Sequence, residues 1–135
     1  MVKADNITFA FTDIPLMEST SFTIGKNQKV GIVGPNGAGK STLFKIIQGI
    51  ENIQEGKLQV IGDIGFVPQE IKRDKILETS PTVRDYLDPE SVHHDFELTK
   101  LLANLEFDNV DLTANPKKFS GGQKTKLALA RALLL

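Results

Sequence analysis

Apolar and polar positions alternate near the start of the chain. Ile7, Phe9 and Phe11 are separated by Thr8 and Ala10, a period of two that predicts a strand. Ser21 to Ile24 reads as a second strand before the turn Gly25-Lys26-Asn27. Lys29 to Val33 (K-V-G-I-V) predicts a short buried strand. Leu43, Phe44, Ile46 and Ile47 then fall at helical spacing, and Gly49 suits the end of that helix. Gly56 opens a further strand with Leu58 and Val60 on one face. Gly62-Asp63 separates it from a strand at Ile64-Gly65-Phe66-Val67, which Pro68 stops. The first half is therefore expected to form a mixed sheet. From Thr82 onward helical spacing dominates, with Val83 and Leu87, then Leu98, Leu101, Leu102 and Leu105. Pro81 and Pro89 punctuate this region, and Asn115-Pro116-Lys117-Lys118 breaks it before a last helix.

Composition narrows the class. A chain of 135 residues, 40% apolar and 24% charged, is long enough for one domain with a real core. The formal net charge of −1 gives no sign of a nucleic-acid or membrane surface binder. Local basic clusters (Lys72, Arg73 and Lys75; Lys117 and Lys118; Lys124 and Lys126) read as solvated faces. The absence of cysteine excludes disulfides and thiolate metal sites. No apolar run approaches the length of a membrane span, and M-V-K-A-D-N lacks an apolar signal core, so a cytoplasmic location is expected.

The run Gly34-Pro35-Asn36-Gly37-Ala38-Gly39-Lys40-Ser41-Thr42 changes the picture most. It fits G-x-x-x-x-G-K-[ST] without a mismatch. Small residues let the backbone curl into a nest of N–H groups, and Pro35 alone donates none. The loop feeds a helix N-terminus carrying about half a positive charge. Lys40 adds a full charge for outer phosphates, and the Ser41 hydroxyl can ligate Mg²⁺. The bland reading, a tight turn beside an ordinary lysine, does not explain strand, Gly-rich loop and helix in that order.

Ser120-Gly121-Gly122-Gln123 opens the last helix. Ser120 is a good N-cap, and Gln123 sits where a capping box wants it. Capping leaves the two glycines unexplained, since each costs up to ~1 kcal/mol against alanine in a helix. A partner that approaches the backbone closely explains them, and at a helix N-terminus an anion suits best.

Phe119 and Ser120-Gly-Gly-Gln-Lys-Thr-Lys-Leu-Ala-Leu-Ala-Arg-Ala-Leu-Leu134 resemble the signature helix of ABC-type ATPases, with Phe119 where Leu is usual. Gly65-Phe66-Val67-Pro68-Gln69-Glu70 resembles their glutamine loop, and Phe11 falls where that family stacks an aromatic on adenine. The features come in family order across essentially the whole chain. The resemblance implies an α/β, P-loop NTPase fold of the ABC type, with an N-terminal β-subdomain, a partial core sheet and a helical subdomain. It implies one nucleotide-binding domain over residues 1–135, an ATP-binding core to about residue 69 and a helical subdomain with the signature helix beyond it. ATP and Mg²⁺ are the cofactors so implied. Gly34, Asn36, Gly37, Ala38, Gly39, Lys40, Ser41 and Thr42 would bind ATP, with the amides of Gly37 to Thr42 around the β- and γ-phosphates. Ser41 would bind Mg²⁺, and Gln69 would contact Mg²⁺ or the attacking water. Ser120, Gly121, Gly122 and Gln123 would face the γ-phosphate held by a second, head-to-tail ABC domain. By the same resemblance His93 and His94 are surface residues rather than the family's switch histidine. Asp85, Asp88, Asp95, Asp108 and Asp111 show no paired spacing for metal or acid–base work.

The family's next elements, an apolar strand ending in Asp-Glu and a switch histidine, do not occur in these 135 residues. The expectation is an incomplete domain, marginal alone or covered by association, that lacks the general base for turnover. The intact parent is expected to be an ATPase. Lys124-Thr125-Lys126-Leu127-Ala128-Leu129-Ala130 resembles the F class, which acts on ribosomes, although no long helical arm fits between Gln69 and Ser120. Two alternatives stand beside it: the ATP-binding subunit of a membrane transporter, working with a membrane subunit, and a non-catalytic ATP-binding fragment.

Overall fold

A computed structural model describes all residues except 12, 72 and 73. The basic residues Lys72 and Arg73 thus lie outside the described residues. The chain divides into two compact units, Met1–Gly62 and Asp63–Leu135.

The first unit is built on a three-stranded sheet in the order β2-β1-β3, with β1 Val2–Ala10, β2 Pro15–Ile24 and β3 Glu55–Val60. Both pairings are antiparallel. Strand β1 does not alternate strictly. Ala4, Ile7 and Phe9 are its buried residues, so the spacing from Ala4 to Ile7 is three rather than two. A bulge resolves this. Ala4 pairs with Phe22 and Ile7 with Thr20, so one more residue lies on β1 than on β2. The same displacement appears against β3, between Asp5–Lys57 and Thr8–Glu55. Asn6, at φ 48°, takes the strained position. Its N–H donates to Ser21 Oγ (2.8 Å), which donates in turn to Asn6 Oδ1 (3.1 Å).

Helix α1, Lys40–Ile47, follows the loop as its periodicity predicts, and Gly49 at φ 72° ends it. Two predicted strands do not form. Residues 29–33 and 64–67 have no strand ladder. Val33 is 97% exposed and Val30 57%. A strand exists only through the bonds it exchanges with a neighbouring strand, and among the described residues no strand pairs with either segment. Among the described residues the mixed sheet expected around the loop does not form, and the sheet that does form is antiparallel.

The second unit is helical: α2 Lys75–Thr79, α3 Val83–Leu87, α4 Asp95–Asn104, a 3₁₀ turn Pro116–Lys118 and α5 Gly121–Leu133. Local chemistry starts each element. The Asp74 carboxylate accepts from the N–H groups of Ile76 and Leu77 at the start of α2. Thr82 Oγ1 accepts from Asp85 N–H at α3, and Asn115 caps the turn at Pro116. The core joins Leu77, Val83, Tyr86, Leu98, Leu102 and Leu127, with the small face of α5, Ala128 and Ala130, closing on it. No helix among the described residues is long and apolar enough to cross a membrane.

Candidate functional site

The phosphate-loop geometry begins with two left-handed glycines. Gly37 stands at φ 86° and Gly39 at φ 89°. At Gly37 a side chain would meet open space, so backbone conformation alone selects glycine; at Gly39 a Cβ would also fall 2.9 Å from Leu16 Cγ. The Ala38 N–H closes the turn onto Pro35 O at 3.3 Å. Gly39 is the N-cap of α1 and no side chain caps it. Among the described residues the N–H groups of Lys40, Ser41 and Thr42 therefore take no partner, as expected of the first turn of a helix. No acidic residue stands in that turn.

Lys40 Nζ donates to both Gly34 O and Pro35 O at 2.7 Å. The ammonium is thus drawn over the mouth of the loop, and the Ser41 side chain is exposed beside it. Among the described residues, unpartnered amides, a helix N-terminus and an ammonium meet at this loop, the Ser41 hydroxyl stands on the next residue, and the first turn of α1 carries no carboxylate. That donor set fits a polyphosphate with its Mg²⁺.

Phe11 lies just past the end of β1 and is 64% exposed, edge-on to Phe9 with ring centroids 4.8 Å apart. Phe9 fills the core position of the strand, so Phe11 is not a core aromatic and presents its ring to solvent. Phe11 and the loop belong to the first unit.

Gln69 and the Ser120–Gln123 segment belong to the second. The capping box at α5 is formed: Gln123 Oε1 accepts from Ser120 N–H (2.9 Å) and Ser120 Oγ accepts from Gln123 N–H (3.3 Å). Gly121 and Gly122 are exposed, and a Cβ on either would meet nothing. The fold itself makes no demand for glycine at these two positions. Phe119, where the signature usually carries Leu, packs edge-on against Phe107 at 5.5 Å. Gln69 is exposed in a bend after Pro68. Gly65, upstream, lies against α5, where a Cβ would fall 2.9 Å from Ala132 Cα.

His94 is exposed, as expected, and stacks on Phe96 at 5.9 Å. His93 is half-buried, with Nδ1 3.5 Å from Asp88 Oδ1. Asp88 itself is buried. Burial pushes its pKa up, but the N–H groups of His93 and Val92 and the His93 ring outweigh this and hold it below the usual aspartate value.

The sequence reading missed a second polar arrangement. Tyr86, buried in the core, donates its hydroxyl to Asp74 Oδ2 at 2.7 Å, while the Arg131 guanidinium lies 5.5 Å from its ring centroid. Burial and the Asp74 carboxylate both push the phenol pKa up. The signal for Asp74 was its position one residue before an apolar helical run. Its pairing with Tyr86 joins residues twelve apart, and no local pattern marks it.

A family model described as "ABC transporter" matches residues 17–135. The zinc import ATP-binding protein ZnuC of Marinobacter nauticus is 37% identical over 137 residues, 98% of this chain and 51% of that protein. A probable metal transport system ATP-binding protein of Thermotoga maritima is 33% identical over 99% of this chain and 57% of its own length. Among solved structures, a chain from an inward-facing metal-chelate type ABC transporter aligns with a TM-score of 0.68, 24% identity, and coverage of 98% of this chain and 54% of that one. That last likeness is one of fold. The chain spans about half the length of the curated relatives it matches. These relatives carry the names of import and transport proteins, and they give no support to the ribosome-associated class expected from residues 124–130.

Proposed function

We propose that this chain, which belongs to the ABC transporter family, binds MgATP and forms part of the ATP-binding subunit of a transporter. Its fold is the α/β, P-loop fold of the ABC ATPases. The observation that carries ATP binding is the uncapped start of α1, where unpartnered amides and the Lys40 ammonium converge on one exposed loop. In this reading the backbone from Gly37 to Thr42 encloses the β- and γ-phosphates, with Gly34, Asn36 and Ala38 shaping the curl. Lys40 exchanges its carbonyl partners for phosphate oxygens. Ser41 would help hold Mg²⁺, which would neutralise charge on the phosphates. Phe11 offers its exposed face to adenine.

Gln69 and Ser120–Gln123 serve the reaction from the second unit. Gln69 orients water or Mg²⁺, and the exposed glycines at the start of α5 receive the γ-phosphate bound by a second domain. Hydrolysis belongs to that paired assembly. A membrane subunit carries the cargo path, and the work is done on the cytoplasmic side. The relatives' metal cargoes are theirs; cargo choice resides outside these motifs.

ATP titration of the wild-type chain and Lys40→Ala, with and without Mg²⁺, tests the binding. Saturable binding lost in the variant supports it, and equal affinity in both overturns it. Affinity capture of the whole protein from solubilised membranes tests the partner. Recovery of a polytopic membrane subunit is expected, and recovery of ribosomes instead would return the ribosomal reading.

A further inference from the structure

Both ends of the glutamine segment are fastened to the same helix. Upstream, Gly65 lies so close to the α5 backbone that a Cβ would meet Ala132 Cα and Cβ at 2.9 Å. Downstream, Asp74 accepts the Tyr86 hydroxyl at 2.7 Å, and the Tyr86 ring takes the guanidinium of Arg131, the residue beside Ala132 on α5. Between these fastenings Val67 and Ile71 pack on the core that includes Leu127 of α5. Pro68 fixes one φ, and Gln69 projects to solvent. The same α5 begins at Ser120.

We infer that Tyr86 and Asp74 are positioning residues, which make Gln69 move with the signature helix. The inference rests on the proposed roles of Gln69 and Ser120. Two features single out the pair. Asp74 already caps α2 through Oδ1 (3.0 and 3.1 Å) and uses its other oxygen, Oδ2, for Tyr86. The Tyr86 ring is buried against α5, so it cannot follow Asp74 without α5. Motion of α5 on meeting a second domain's phosphate is thereby delivered to the segment that carries Gln69. In the reverse direction, a shift of Gln69 is felt at Ser120.

Amide hydrogen exchange on the full chain, without nucleotide, reads this coupling directly. Tyr86→Phe keeps the ring and its packing and deletes the hydroxyl. Arg131→Met keeps an apolar stem on α5 and removes the guanidinium from the Tyr86 ring. In Tyr86→Phe, exchange at residues 69–71 and 74–77 is expected to rise about tenfold, as the loss of a charge-assisted bond implies. In Arg131→Met the same amides are expected to rise about two- to tenfold, as the loss of a cation–π contact implies. Amides of α4 are expected to stay at the wild-type rate. Tyr86→Phe combined with Arg131→Met should match Tyr86→Phe alone, because the link is already cut. Asp74→Asn keeps one oxygen for the α2 cap and replaces the other by an NH₂ that can donate to the Tyr86 oxygen, so it should keep part of the protection lost in Asp74→Ala. A uniform rise across residues 63–135 would assign Tyr86 to general stability and overturn the inference. So would additive effects of the two changes, or an unaffected glutamine segment in Arg131→Met. ATP binding is measured separately on the wild type. Its absence would remove the proposed function while leaving the exchange result to speak for the coupling.

Discussion

Ser120 and Gln123 satisfy each other at the start of α5, each side chain accepting the other's backbone N–H at 3.3 and 2.9 Å. Capping is thus complete without the glycines between them. Gly121→Ala and Gly122→Ala meet open space and are expected to leave the melting temperature unchanged or raise it, by up to ~1 kcal/mol each in stability. They are expected to abolish ATP-driven association with a second domain, measured by light scattering. Unimpaired association would show that the glycines face no ligand.

Ser120→Ala removes the cap as well. A loss of about 1 kcal/mol is expected in denaturant unfolding of the helical unit. An equal loss in Ser120→Thr, which keeps the hydroxyl, would mean the cap is not what matters there.

Among the described residues, Lys40 Nζ bonds exposed loop carbonyls alone. Lys40→Ala should therefore change stability without ligand by less than about 1 kcal/mol. ATP affinity should fall by about 10- to 100-fold, as the loss of charge-assisted bonds implies. Calorimetric titration and thermal melts separate the two effects. A variant unable to fold would show that the lysine holds the loop together.

Gly56 stands at φ 90° over the β1 bulge, where a Cβ would lie 2.6 Å from both Asn6 C and Asp5 O. Backbone strain and a clash with main chain coincide. Gly56→Ala is expected to destabilise the sheet unit by about 1–3 kcal/mol or more, read from denaturant midpoints. A neutral result would mean that the bulge can relax.

Asp88 gives the helical unit a pH dependence. Its folded pKa lies below the usual value, so its contribution is full above the ordinary aspartate pKa of about 4. It is lost as pH falls through the lower folded value. The stability difference between wild type and Asp88→Asn should shrink as pH falls below about 4. A difference that grows on acidification would reverse the sign and the assignment.

The phosphate loop was legible because its chemistry is contiguous: the glycines at 37 and 39, Lys40 and Ser41 specify nest, charge and hydroxyl within a few residues. The same holds for Ser120 to Gln123, and for α1 and α5. The strands predicted at 29–33 and 64–67 failed because strand formation needs a neighbour, and an apolar run cannot say whether one is at hand. The bulge at Asn6 was hidden for a related reason. The count of residues between paired positions is fixed across strands, against Gly56 and Ser21, rather than along one.

By itself, then, the sequence determined the local devices of this protein: the glycine-rich loop before α1, the caps and the helical faces, all set by residues within one or two turns of each other. Tertiary structure alone decided which aromatic is core and which is free, Phe9 or Phe11. It alone joined Asp74, Tyr86 and Arg131 and laid Gly65 against Ala132. Those contacts depend on burial and on packing between distant segments, and neither is written in the spacing of residues along the chain.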